Sequence, residues 1–550
     1  MSALAIIALS QGYRVSGSDA RAGAQLDAVR EAGATCFVGH DARHVGGSDA
    51  HDDARDDEAL TLVDPPDLVV VSSAVPGDNV EVAFARRAGI PVFSRAQWLA
   101  RVTRGRAVAA VAGTHGKTST SAALAVALRS AGLDVSAVVG GNVPQFPGGR
   151  NAVGGGDDVF VVEADEYDGA FLGLEPATAV LLNVEHDHPD MFEDERAVVA
   201  MFAQFVRRVK PGGLVVACGD DANVRALVAT LAVRNHLPEF RFTENDRFTE
   251  SDPEAVSCVT FGFGAANAWR AVDLRADART GGCSFTVTHE GAFVSEMSVP
   301  GTGAYAALNA LAAFVAGLEI LRRAAPRGAA TDAATVRSLA ESLATHEGVA
   351  RRMQLIGATE RVAVYDDYAH HPTAARLATA AIKERHAGAF LAVAFQPHTR
   401  SRTEAMFDAF ADALGGVDFL IVTPVFDARP ERQGRNRGSE DRASGAEASG
   451  ADLAARLAAR AGGAFAATEA EAVDAVVDAV RDATTSAKTR AAREEKNDFH
   501  GKKQVVVLCL GAGAGFDEFS RRVFARLDEL DPGWASGSAA SRRDADETTR

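Results

Sequence analysis

Only five cysteines occur in 550 residues, at Cys36, Cys218, Cys258, Cys283 and Cys509, and no two stand in a C-x-x-C pair. Neither a disulfide framework nor a zinc ribbon is suggested, and a reducing compartment fits. No uninterrupted apolar run is long enough to span a bilayer, and the N-terminus lacks the basic start and small-residue cleavage site of a secretory signal. Basic charge is outweighed: 57 Lys and Arg against 74 Asp and Glu leave a net charge of −17. A general nucleic-acid binder needs a basic face to displace counterions, so neither a nucleic-acid nor a membrane partner is expected. An anionic ligand must then be held locally. The expected location is the cytoplasm, or an organelle stroma if a targeting peptide precedes Met1.

What is present is a globular composition, 47% hydrophobic and 24% charged, in a chain too long for one core. Short β-branched runs alternate with Ala-rich amphipathic segments, the pattern of parallel sheets covered by helices. The clearest expected strands are 67–75, 106–113, 158–165, 178–185, 361–368, 389–397, 418–424 and 504–511. Expected helices at 120–132 and 403–416 end at glycine. The fold class is α/β, in three units at 1–104, 105–346 and 347–530, with a disordered tail over 531–550. Polar stretches at 46–66, 427–452 and 484–503 read as surface insertions.

The segment AVAGTHGKTST, Ala110 to Thr120, runs from a buried strand through a glycine loop into a helix. Backbone N–H groups and the helix dipole converge there on a phosphate position. Lys117 would bridge the outer phosphates and Thr118 could hold a magnesium ion. Val111 stands where the first glycine of the usual G-x-x-x-x-G-K-[ST] loop belongs, so the loop is shortened. VVEADEYDGAF (161–171) places Glu163, Asp165, Glu166 and Asp168 at the end of the next strong strand. Ligands bind outside the carboxyl ends of strands in such sheets, so one of these carboxylates could complete a Mg-ATP site. In NVEHDHPDMF (183–192), His186 and His188 are either metal ligands or hydrogen-bonded loop histidines. YDDYAHHPT (365–373), AFQPHTRSRT (394–403), GVARRM (348–353) and GAGAGF (511–516) are each weak alone.

Taken in order, SGSD (16–19), VVSSAV (70–75), GTHGKTST (113–120), EADEYD (163–168), NVEHDHPD (183–190), LNALAAF (308–314), ARR (350–352), DDYAHHP (366–372) and FQPHTRSRT (395–403) resemble the Mur ligase family, most closely its L-alanine-adding branch. The resemblance extends to about residue 525. It implies an N-terminal Rossmann-like domain for a UDP-sugar, a central P-loop ATPase-type sheet, and a Rossmann-like C-terminal domain that closes over the nucleotide. The implied activity is ATP-dependent ligation of L-alanine to UDP-N-acetylmuramate, with Mg²⁺ as cofactor. Gly113, Thr114, His115, Gly116, Lys117, Thr118 and Ser119 would hold ATP together with Asn309, Arg352 and Asp367. Lys117, Arg352 and His188 would be catalytic, and Thr118, Glu163 and His188 would hold the metal. Asp19, Ser72 and Ser73 would face the UDP-sugar, with Tyr368, His370, His371 and Arg402 near the amino acid.

Three departures from the family pattern stand out. Ala306 occupies the place of an asparagine, which would alter adenine recognition. No lysine occurs between Lys117 and Lys210, and Phe202 lies near the position at which sister ligases carry a carbamylated lysine, in agreement with the L-alanine branch. Met1 aligns inside the family's glycine-rich first loop. Met1 to Gln11 is then an apolar helix, Tyr13 to Ser18 a strand ending at Asp19, and the expectation is unpaired sheet edges, a partly uncovered helix face and an upstream start. The alternatives are a ligase that adds a whole tripeptide to the same nucleotide sugar, disfavoured by FLGLEPATAVLLN (171–183), and a non-catalytic nucleotide-binding descendant.

Overall fold

The fold was obtained as a computed structural model that describes residues 1–47, 64–156, 158–234, 255–277, 281–324, 333–426, 450–491, 505–513 and 515–530. Four short parallel strands come first: β1 (Ser16–Asp19), β2 (Thr35–Val38), β3 (Val69–Val71) and β4 (Val92–Ser94). They form two separate pairs, β1 with β2 and β3 with β4. The opening helix, Ser2–Ser10, does not leave the uncovered face expected of it. Ala3, Leu4, Ile6 and Ile7 are buried in one cluster with Trp98 and Leu99 of the same unit and Ala152 and Phe160 of the central unit, so both units supply the cover.

The central unit is built on ten strands: β5 (Val108–Ala112), β6 (Val135–Val138), β7 (Ala152–Val153), β8 (Val159–Glu163), β9 (Thr178–Leu181), β10 (Leu214–Cys218), β11 (Ser257–Gly262), β12 (Trp269–Asp277), β13 (Gly282–His289) and β14 (Ala292–Val299). Their order is β14-β13-β12-β11-β10-β9-β5-β8-β6-β7. In β5 every residue is buried, Ala109 and Val111 facing one core and Val108, Ala110 and Ala112 the other. A fully apolar strand is what a sheet covered on both faces requires. The sheet is not parallel throughout: β12, β13 and β14 pair antiparallel, as do β6 and β7. Parallel strands β5, β8 and β9 therefore occupy the middle, where the loop after each can meet its neighbours. The helix Lys117–Ser130 follows β5 and packs on the helix Ala304–Ala324. The latter is long and apolar enough to cross a membrane, unlike the expectation from continuous runs. Its residues from Ala310 to Ile320, Glu319 included, are buried in the protein core.

The last unit adds β15 (Gln354–Ala358), β16 (Val362–Asp367), β17 (Phe390–Gln396), β18 (Phe419–Val422), β19 (Ala464–Phe465) and β20 (Val505–Gly511), in the order β15-β16-β20-β17-β18-β19. Alternate residues of β20 again serve two cores, Val506, Leu508 and Leu510 on one side and Val505, Val507 and Cys509 on the other. The helix expected over 403–416 breaks at Met406 into Arg400–Ala405 and Phe407–Leu414. The stretch expected as an insertion from 484 continues the helix Glu469–Ala491. Most of 46–66, 427–449, 492–504 and the tail 531–550 lie outside the described residues.

Candidate active site

The loops after β5, β8 and β9 meet at the strand ends, and the last unit closes over them. The resulting cleft, about 2850 Å³, is lined from all three units: Ser73 to Asp78, Thr114 to Ser119 with Glu163, and Arg352 with Tyr368, His370 and Arg402. Ser73 thus reaches the cleft, whereas Asp19 and Ser72 do not line it.

At the phosphate loop, Gly116 has φ +84° and Gly113 φ +148°. A Cβ at Gly113 would lie 2.9 Å from Leu182 Cβ, and one at Gly116 would lie 2.4 Å from Asn309 Oδ1. Only glycine permits this conformation and this closeness. Asn309, expected at the adenine, lines the cleft and packs against Gly116. Asn183, whose side chain no sequence motif singles out, clamps the loop from the other side: its Oδ1 accepts from His115 N at 2.7 Å and its Nδ2 donates to His115 O at 3.1 Å.

Lys117 Nζ donates to Gly113 O at 2.6 Å and to Glu166 Oε1 and Oε2 at 3.0 and 2.8 Å. Burial pulls the ammonium down, but Glu166, Asp165 and Glu163 outweigh it and hold Lys117 above its usual range. Burial pushes the Glu166 carboxyl upward, and the charge and hydrogen bonds of Lys117 oppose that push. Thr118 Oγ1 donates to Glu163 Oε1 at 3.0 Å, and Gly140 N donates to Glu163 Oε2 at 2.6 Å. Arg352 crosses from the last unit, its Nη2 donating to Thr118 Oγ1 at 3.0 Å. Its neighbours Arg351 and Met353 have φ of 61° and 47°, a strained turn that presents the guanidinium. Asp367 fixes that turn by accepting from Met353 N at 2.7 Å and Ala369 N at 2.8 Å, and Tyr368 lies under Arg352, 4.8 Å from its guanidinium.

Around the third strand end, Arg402 Nε donates to Asp187 Oδ1 at 2.7 Å and its Nη2 approaches His188 Nδ1 at 3.4 Å. Burial keeps His188 below the usual histidine range. An arginine can only donate, so His188 Nδ1 accepts and Nε2 carries the proton, 3.9 Å from Glu166 Oε1. His370 Nδ1 donates to Tyr368 O at 2.8 Å, and its ring lines the cleft. His371, expected beside the amino acid, has neither nitrogen free in this conformation. Its Nδ1 caps the helix Pro372–Arg385 by accepting from Thr373 N at 3.2 Å, and its Nε2 donates to His186 O at 3.1 Å. His115, Glu185 and His371 bring ligand atoms within 4.8 Å of one another. With His371 engaged and Thr373 Oγ1 donating to Glu185 Oε2 at 2.7 Å, the cluster is a polar latch between units. Phe202 is fully buried against Phe171, so no ionisable group stands there.

The family descriptions "Mur ligase family, catalytic domain", "Mur ligase middle domain" and "Mur ligase, glutamate ligase domain" match residues 1–107, 111–317 and 351–513. The UDP-N-acetylmuramate–L-alanine ligase of Frankia casuarinae is 38% identical over 444 residues, covering 78% of this chain and 81% of the relative. The chain belongs to the Mur ligase family. That of Saccharopolyspora erythraea is 37% identical over 433 residues, covering 79% and 78%. Among solved structures, the UDP-N-acetylmuramate-alanine ligase of Thermotoga maritima shares the fold of this Mur ligase with a TM-score of 0.66, at 22% identity over 96% of this chain and 97% of that one. The murein peptide ligase of Psychrobacter arcticus matches it with a TM-score of 0.60, at 22% identity and 96% of each chain.

Proposed function

We propose that this Mur ligase joins L-alanine to UDP-N-acetylmuramate at the expense of ATP, the first stem-peptide step of peptidoglycan synthesis. The observation that carries the reading is the meeting of Lys117, the Thr118–Glu163 pair and Arg352 at one point of a cleft lined by all three units. Relatives at 37–38% identity that bear the name of that reaction support the choice of substrates.

The glycine cradle at Gly113 and Gly116 leaves room for phosphate oxygens against backbone N–H groups, which fits ATP. The Thr118 hydroxyl and Glu163 carboxylate are hard oxygen donors that fit magnesium. His188, expected as a further ligand, has Nδ1 accepting from Arg402 and its Nε2 proton toward Glu166, so in this conformation it has no lone pair to give a cation. When bound, the ion would neutralise phosphate charge. A lactyl carboxylate oxygen attacks the γ-phosphorus, the bond to ADP breaks, and an acyl phosphate forms. The amine of alanine, after losing its proton, attacks the acyl carbon, and inorganic phosphate leaves with the carboxylate oxygen. Lys117 and Arg352 supply the fixed positive charge such a transfer relies on. Ser73 would lie on the UDP-sugar side of the cleft, with Tyr368, His370 and Arg402 on the amino-acid side.

Oxygen labelling tests the order of bonds. With ¹⁸O in the lactyl carboxylate, one label should appear in the phosphate released for each amide formed. Unlabelled phosphate would remove the acyl phosphate from the account.

A further inference from the structure

Glu166 is 1% exposed, yet it belongs to neither the cation pair nor the loop that cradles phosphate. Lys117 Nζ has four acceptors for its three protons: Gly113 O at 2.6 Å, Thr114 O at 3.3 Å and both oxygens of Glu166. No N–H of this ammonium is left to meet a phosphate. Glu163, by contrast, is occupied by Thr118 and Gly140.

From this geometry we infer that Glu166 is a positioning residue, a built-in counter-anion that parks Lys117 and that the terminal phosphate of the nucleotide displaces. The two backbone carbonyls keep the lysine aimed into the loop while the carboxylate occupies the place of the incoming anion. A released carboxylate has a partner within reach, because His188 Nε2–H lies 3.9 Å from Oε1. The neighbouring Asp168, with φ of 57°, holds a left-handed conformation that non-glycine residues seldom adopt. The device keeps a buried lysine neutralised until an anion of higher charge arrives. This inference rests on the proposed ATP chemistry.

The test is calorimetric titration of the full chain with the non-hydrolysable analogue AMP-PNP and Mg²⁺. In Glu166→Gln the lysine keeps a neutral acceptor and loses the competing charge. Its Kd should fall about fivefold to tenfold, the difference between a charged and a neutral hydrogen bond, while kcat for amide formation does not rise in step. Glu166→Asp, too short to hold both contacts, should lie between. An unchanged or weaker Kd in a variant with wild-type melting overturns the inference. Should either variant not fold, a structure of the wild-type chain with AMP-PNP decides. A Glu166–Lys117 separation beyond hydrogen-bond reach supports displacement, and a pair still at 2.8 Å contradicts it. A wild-type chain that binds AMP-PNP but forms no amide overturns the proposed function alone. One that binds no nucleotide overturns both.

Discussion

Arg402 and Asp187, 215 positions apart in the chain, meet at 2.7 Å with side chains only 3% and 7% exposed. The pair ties the last unit to the strand end that carries His188. Removing one member leaves the other charged and buried, which costs about 3–5 kcal/mol. Arg402→Ala should lower unfolding stability by that order in a denaturant titration. Arg402→Ala combined with Asp187→Ala should recover part of it. Additive losses would mean that the two residues do not act as a pair.

Asn183 holds both backbone groups of His115. Asn183→Ala should leave the fold intact, weaken AMP-PNP binding about tenfold, and cost about 1–2 kcal/mol of stability as two partly buried bonds are lost. Calorimetry beside a thermal melt separates the two effects. Unchanged nucleotide affinity would show that the loop keeps its shape without the clamp.

His371 makes a prediction about pH. Burial, foremost, with repulsion from His115 second, holds its imidazole at about 4. The unfolded chain, near 6.5, therefore takes the proton first, and stability is lost as pH falls from 6.5 to 4. The full loss is about 3 kcal/mol, of which the broken cap at Thr373 is the structural part. In His371→Asn, which caps without titrating, the slope of unfolding free energy against pH over that range should flatten. An unaltered slope would place the proton elsewhere.

Phe202 cannot take up carbon dioxide, and its ring is sealed against Phe171. Stripping bicarbonate from the assay and restoring it should leave the rate flat. A reproducible rescue would identify an overlooked carbamylated lysine.

The parallel centre of each sheet was legible because strands such as Val108–Ala112 are apolar on both faces and bounded by glycine. The antiparallel hairpins of β12 to β14 were not, since strands with one buried face carry a weaker pattern. Lys117, Thr118 and Glu163 could be picked out because a phosphate loop and a strand end are local features. The engagement of His371 with His186, 185 positions away, depends on how units close on each other, and the grip of Glu166 on Lys117 depends on the pairing of β5 with β8. Spacing along a chain does not encode that. The cover over the opening helix was missed for the same reason, since Ala152 and Phe160 belong to another unit.

The central claim is tested most directly by the mass of the product formed from UDP-N-acetylmuramate, ATP, Mg²⁺ and L-alanine. The account predicts UDP-N-acetylmuramoyl-L-alanine in equal amount to ADP, no ADP when either the sugar nucleotide or the amino acid is omitted, and no product from Lys117→Ala. ADP release without amide, or an amide formed only when a tripeptide replaces L-alanine, would contradict it.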